Sequence, residues 1–207
     1  MPHEGAYHHG DLRAACLRAA RELLEEDGSG SAGLSLRAVA RRAGVSATAP
    51  YRHYADRDAL VSAVAAEGYR ELAGRLAAAH PSPATADDLA TVAVAYVCFA
   101  LDHPAMFRVM FAEPCDPGNE ERAAATAAIW EYVRDIVRGT FPGADPAALS
   151  TAVWALVHGL AFLHLDAKLD TSTPEAVAGQ VRAAVHALIA ASPAIPQSAP
   201  PAERTRT

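Results

Sequence analysis

The tightest constraint on the fold is the spacing within residues 35–54, SLRAVARRAGVSATAPYRHY. Ser35 stands where an N-cap stands, and Leu36, Val39, Ala40 and Ala43 follow at i, i+3, i+4 and i+7, a one-sided apolar face. Arg37, Arg41 and Arg42 fall on the opposite side. Gly44 stops this helix, because glycine takes the left-handed C-terminal conformation readily. Ser46 comes two residues later and is placed to cap a second short helix, to about residue 54. Two short helices joined by so tight a glycine turn match a helix-turn-helix unit. Pro50 is the one discordant residue. It would be the fourth residue of the second helix, and its missing N–H removes the bond to the Ser46 carbonyl, so local distortion is expected. Pro50 and Tyr54 share a face at i, i+4 and are expected against the core.

The rest of the chain reads as helical. Apolar residues make up 51% of the 207, but much of that is alanine, the best helix former and a poor filler of core volume. Aromatics are sparse, and β-branched residues rarely alternate with polar ones, so an all-α fold is expected. Helical stripes run over about 10–27, from after Asp56 to about 80, then 85–102, 104–112, 119–140, 146–168 and 174–191. Pro146 and Pro174 follow the capping residues Asp145 and Thr173, where a first-turn proline is favoured. The Pro-rich HPSPAT at 80–85 is the best candidate for a domain boundary. Residues 10–70 are expected as one domain, 83–192 as a second, and 193–207 as a disordered tail. The longest apolar runs, 89–101 and 151–165, are shorter than the about 20 residues of a spanning helix, so core helices and no membrane span are expected. Cys16, Cys98 and Cys115 share no metal-type spacing, and the start carries no signal peptide, so a reduced cytosolic setting is expected, with no metal and no cofactor.

The net charge is −6, yet residues 35–57 hold five arginines (Arg37, Arg41, Arg42, Arg52, Arg57) and one acid, Asp56, a local balance of +4. Such a patch is the electrostatic footprint of an anionic partner. A solvated arginine-rich face explains charge alone equally well.

Taken in order, the capped helix, AGVS, YRHY and the basic residue before a long helix resemble the DNA-binding domain of the TetR family of bacterial transcription regulators. The resemblance covers about residues 10–70. WALVHG at 154–159, with YHHGDLR at 7–13, is also similar to a TetR subgroup named for Trp, His and Gly in its C-terminal domain. The chain departs from the family pattern at Tyr54 (usually Phe), Arg57 (commonly Lys) and Pro50 (frequently Leu).

What the resemblance implies is a double-stranded DNA partner. A recognition helix lies in the major groove with its N-terminal residues at base edges. The exposed early positions expected here are Ala47, Thr48 and Ala49, with Arg52 one turn on. Direct readout by such small groups is thin, so shape and phosphate contacts are expected to carry much of the affinity. By resemblance Tyr51, His53 and Arg57 contact phosphates. Ser46 is expected to offer its backbone N–H to a phosphate, and Arg37 to belong to the same surface. For Tyr51 the alternative is an aromatic that closes the small core; both roles are compatible.

By the same resemblance, the C-terminal helices bind a small apolar or amphipathic effector. Phe99, Phe107, Met110, Trp130, Trp154 and Phe162, with Met106, supply apolar lining, and Asp102 and His158 are the polar candidates. For each of these residues, ordinary core is the alternative. The last two helices have apolar faces that look broad for one partner. Leu149, Ala152, Leu156 and Leu163 on one, and Val177, Val181, Val185 and Leu188 on the other, are expected to form a four-helix homodimer interface. A dimer would let two units read two half-sites.

Two rival classes fit the sequence less well. An enzyme is disfavoured, since there is no Gly-x-Ser-x-Gly elbow, phosphate loop or His-Glu-x-x-His, and the nine histidines are scattered. A helical module binding an acidic protein is disfavoured by the helix-turn-helix spacing. The expectation is an all-α homodimeric regulator, a repressor released from a palindromic operator by its effector.

Overall fold

The computed structural model describes residues 11–28, 31, 33–111 and 118–191. Among these residues there are eight α-helices, one short 3-10 turn and no strand. The histidine-rich start and the tail expected to be disordered lie outside them, as does Cys115.

Helix α1, Asp11–Asp27, buries Leu12, Cys16, Leu17, Ala20 and Leu24. Helix α2, Leu36–Arg42, begins where its sequence says it should: the Ser35 hydroxyl accepts from the Ala38 N–H at 3.2 Å. It ends at Gly44, whose φ is +69°. The Val45 N–H returns to the Ala40 carbonyl at 2.9 Å and the Gly44 N–H to Arg41 at 3.3 Å, which satisfies the last carbonyls.

The second helix of the unit departs from expectation. No α-helix runs from Ser46; there is a turn, then a 3-10 segment at Ala49–Arg52. The Ser46 carbonyl accepts from Ala49 at 2.9 Å, three residues on, because Pro50 has no N–H to offer four residues on. Ser46 also does not cap through its side chain; its hydroxyl lies 3.4 Å from that of Thr48. Pro50 and Tyr54 are both buried in the core, as their spacing suggested.

Helix α3, Arg57–Ala79, is capped by Asp56, which accepts from the Ala59 N–H at 2.8 Å. It is continuous through residue 70, so the boundary expected there falls in mid-helix. Its 23 residues reach roughly 35 Å, from the helix-turn-helix into the C-terminal helices.

The body follows. It comprises α4, Ala86–Asp102; α5, Pro104–Phe111; α6, Glu120–Thr140; α7, Pro146–Leu165; and α8, Pro174–Ala191. A capping box opens α4: Thr85 Oγ1 accepts from the Asp88 N–H at 3.1 Å, and the Asp88 carboxylate from the Thr85 N–H at 2.9 Å. A 106° bend separates α4 from α5. Helix α5 sits close on α3 because Gly68 has no side chain: a Cβ there would lie 2.7 Å from the Met110 sulfur and 2.9 Å from that of Met106.

Helix α7 ends three residues before its predicted limit. Ala167 takes φ +53°, and the Lys168 N–H closes back onto the Leu163 carbonyl at 2.8 Å. With 20 residues, α7 is also longer than its apolar run suggested and has the length and apolarity of a spanning helix. One face, with Ser150, Val153, Val157, Leu160, Ala161 and His164, is buried within the protein.

Candidate nucleic-acid interface and effector cavity

The exposed end of the helix-turn-helix gathers most of the residues expected to meet DNA. Ala47, Thr48, Tyr51, Arg52 and His53 are all exposed, and Tyr51 keeps 52% of its surface open although it is a large aromatic. Tyr51 therefore does not close the small core; Tyr54, 3% exposed, does. Arg37 and Arg41 project from α2 into solvent. Arg42 does not: it pairs with Glu22 at 3.3 Å and with Glu26, both on α1.

Two residues expected to contact phosphate are found in a different local setting. Arg57 is engaged by its own chain, with 38% of its side chain still exposed. Its Nε donates to the Leu34 carbonyl at 3.1 Å, and one terminal nitrogen donates to the Ser31 carbonyl at 2.7 Å and to the Ser31 hydroxyl. The other lies 3.5 Å from Asp58. This guanidinium fastens the α1–α2 connection to the start of α3 by donating to carbonyls that lie outside any helix ladder. Ser46, in turn, does not begin an α-helix, so no helix N-terminus focuses its N–H on a phosphate.

An ionic joint, unforeseen in the sequence, links this unit to the body. Glu121, in the first turn of α6, accepts from Arg13 of α1 at 2.6 Å and from Arg70 of α3 at 3.1 Å. Arg21 of α1 pairs with Glu71 of α3 at 2.8 Å, and His103 lies 3.5 Å from the same carboxylate.

The body holds a cavity of about 30 Å³ among α3, α4, α6 and α7. Its walls include Leu76, Val92, Tyr96, Ile129, Val133 and Trp154, and it has room for one or two waters. Of the nine residues expected to line a pocket, only Trp154 lines this one. Phe99, Phe107 and Met110 are wholly buried core. Asp102 is exposed and accepts from Arg75 at 2.6 Å. Trp130 stacks on Trp154 but is not itself a wall of the cavity. His158 and Phe162 belong to an aromatic cluster beside the cavity, with Phe107 and Phe111: the Phe111 ring lies 4.7 Å from His158, and Phe162 4.9 Å. Helical spacing marked these residues as apolar but could not say which side of α7 meets the cavity.

Tyr96 is the residue sequence reasoning missed. It lines the cavity, and its hydroxyl lies 3.1 Å from His158 Nδ1. Burial pushes the Tyr96 phenol up, which keeps it protonated, and pushes the His158 imidazole down, which favours the neutral ring. The pair then reads as Tyr96 O–H donating to an unprotonated Nδ1. The signal was present in the sequence: a tyrosine inside the apolar run 89–101 needs a partner for its tip.

The expected dimer faces divide. Val177, Val181 and Val185 are 2%, 0% and 1% exposed and form the inward face of α8, which packs on α4. They are covered by their own chain and cannot meet a copy. Leu149, Ala152 and Leu156 are half-buried along α7, Leu163 is 44% exposed, and Leu188 of α8 is half-buried.

A helix-turn-helix with exposed basic residues, carried on a helical body, is the architecture of a DNA-binding regulator. Comparison with known proteins agrees. Residues 17–64 match the model described as bacterial regulatory proteins, tetR family, and residues 89–191 match that of the tetracyclin repressor-like C-terminal domain. The chain belongs to the TetR family. That membership rests on these two matches, and not on the Trp-His-Gly resemblance.

Among solved structures, a protein with unknown function from Rhodococcus sp. RHA1 is 33% identical with a TM-score of 0.73, over 89% of this chain and 98% of that one. The putative regulatory protein SCO4313 is 28% identical with a TM-score of 0.66, over 87% and 96%. The HTH-type transcriptional regulator Rv1816 of Mycobacterium tuberculosis is 32% identical over 130 residues, 59% of this chain. The chain spans about half the length, 54%, of the curated relatives it matches.

Proposed function

We propose that this protein is a sequence-selective DNA-binding transcriptional regulator, acting in the cytoplasm as a homodimer on a palindromic operator. It is a repressor, released when a small neutral effector occupies the cavity of the body. The observation that carries this reading is the exposed set Ala47, Thr48, Tyr51, Arg52 and His53, flanked by the solvent-facing Arg37 and Arg41. Small, cationic and hydrogen-bonding groups exposed together in this unit suit a groove and its phosphates.

The effector reading is supported by the cavity walls, which are apolar apart from the tip of Tyr96, already engaged with His158. Leu76 of α3 is one of those walls, so an occupant that enlarges the cavity pushes on the helix that carries the DNA-reading unit. The dimer reading is supported by Leu149, Ala152, Leu156 and Leu163, an apolar strip that α7 leaves open or half-open. No chemistry of turnover is assigned to these residues.

The test is binding to duplex DNA from upstream of the gene, beside scrambled duplex, across a salt series. A preference for the upstream duplex that persists as salt rises is expected. Equal, weak and steeply salt-dependent binding to both would mean that only the arginine patch acts, and the regulator reading would fail.

A further inference from the structure

Pro50 is the only residue of the helix-turn-helix whose chemistry forbids the regular form of the element it occupies. In an α-helix starting at Ser46, residue 50 would donate to the Ser46 carbonyl. That carbonyl instead accepts from Ala49 at 2.9 Å. The segment Ala49–Arg52 then winds as a 3-10 turn. Its far end is closed by the Pro50 carbonyl, which accepts from the His53 N–H at 3.0 Å and from the Tyr54 N–H at 3.0 Å. Both Pro50 and Tyr54 are buried, so the turn is pinned to the core on one side and leaves Tyr51, Arg52 and His53 exposed on the other. It is a defined shape and not the frayed end of a helix.

The shape changes what the exposed residues reach. A 3-10 helix advances about 2.0 Å and 120° per residue, an α-helix about 1.5 Å and 100°. Over the three steps from Ala49 to Arg52 the difference is about 60° of rotation and about 1.5 Å along the axis. Adjacent base pairs are about 3.4 Å apart, so a long, forked side chain displaced this far meets a different set of base-edge acceptors. Arg52 is the one residue of the turn able to make a bidentate contact with a base.

We propose that Pro50 is a specificity-setting positioning residue: it fixes the 3-10 turn and thereby selects which base pair of the half-site Arg52 reads. This inference rests on the DNA-binding reading above. It concerns which sequence is chosen, not whether DNA is bound.

The experiment is selection from a random duplex pool by the full chain and by its Pro50→Leu and Pro50→Ala variants, each of which restores an N–H. Arg52→Ala is made in every background. Wild type and the Pro50 variants are expected to enrich half-sites that differ at the base pair or pairs read by Arg52, while the salt slope of binding stays the same. Within each background Arg52→Ala is expected to lower discrimination about ten- to a hundredfold at one position, and that position is expected to move when Pro50 is replaced.

Base-for-base identical half-sites from wild type and a folded Pro50 variant would overturn the proposal. So would an Arg52→Ala protein that keeps the wild-type half-site, a result read with Pro50 intact and therefore independent of whether the Pro50 variants fold. Enrichment of no sequence by wild type would overturn the regulator reading itself, and this inference with it.

Discussion

The indole of Trp130 on α6 lies flat against that of Trp154 on α7, with centroids 4.5 Å apart and planes 8° from parallel. Trp154 is a wall of the cavity, and Trp130, which is not, stacks on its indole. The stack therefore braces one wall of that cavity.

These are the two tryptophans of the chain, so tryptophan emission, excited apart from the six tyrosines, reports on this stack alone. Benzene is larger than the resting cavity, so its entry has to displace the wall and is expected to change the emission, and Trp130→Phe to reduce that change. Trp154→Ala is expected to destabilise the body by about 3 kcal/mol, the loss of a partly buried large aromatic, and to be partly rescued by benzene in the enlarged cavity. A melting temperature indifferent to benzene in that variant would argue against a ligand space here.

Arg57 is expected to act on stability more than on DNA. Its bonds to the Ser31 and Leu34 carbonyls are charge-assisted and partly shielded, so Arg57→Ala is expected to cost about 1–2 kcal/mol in chemical unfolding. The salt slope of DNA binding should stay close to wild type, whereas Arg37→Ala should lower it by about one. A large loss of slope with Arg57→Ala and unchanged stability would restore Arg57 to the phosphate contacts.

Stability is expected to fall as pH drops below 6.5. Desolvation holds both His158 and His164 below the ordinary histidine value of 6.5, with Asp170 partly offsetting this at His164. The native state keeps these rings neutral while the unfolded chain protonates them at their ordinary value. The unfolded state then binds more protons, and stability present above 6.5 is lost progressively as pH falls toward the folded values. The limit is about 1.4 kcal/mol per pH unit for each proton. Urea unfolding from pH 8 to 5 checks this, and His158→Gln and His164→Gln should each flatten part of the decline.

Leu163→Arg and Leu156→Arg are expected to shift the protein toward monomer in sedimentation. A Val181→Arg change should unfold the body instead, because Val181 is wholly buried under its own chain. The monomeric variants are expected to lose about a hundredfold or more in affinity for a two-half-site duplex, since each unit then binds alone. A wild-type protein that sediments as a monomer at micromolar concentration would remove the dimer from the proposed function.

Helix existence, order and most starts were legible in the sequence, because they depend on neighbours three and four residues away. Ser35, Asp56, Asp145 and Thr173 all cap as their positions indicated, and Gly44 takes the positive φ its place after α2 called for. Even the disturbance at Pro50 was visible, since a missing N–H is a local fact. Its extent was not: whether the segment kinks or abandons the α form depends on the buried seat that Pro50 and Tyr54 find together.

The choice of partner was decided only in three dimensions. Periodicity shows that α8 has an apolar face, but not that Val177, Val181 and Val185 press on α4 and not on a second copy. The charge of Arg57 was plain, while its direction is set by carbonyls more than twenty residues away. Tyr96 and His158, 62 residues apart in the chain, meet across helices, and Trp130 and Trp154 meet from two consecutive helices. The sequence by itself determined where this chain turns and which stripes avoid water. The tertiary structure decided what each stripe faces, because burial is satisfied by any apolar partner and only the packing of the whole body selects one.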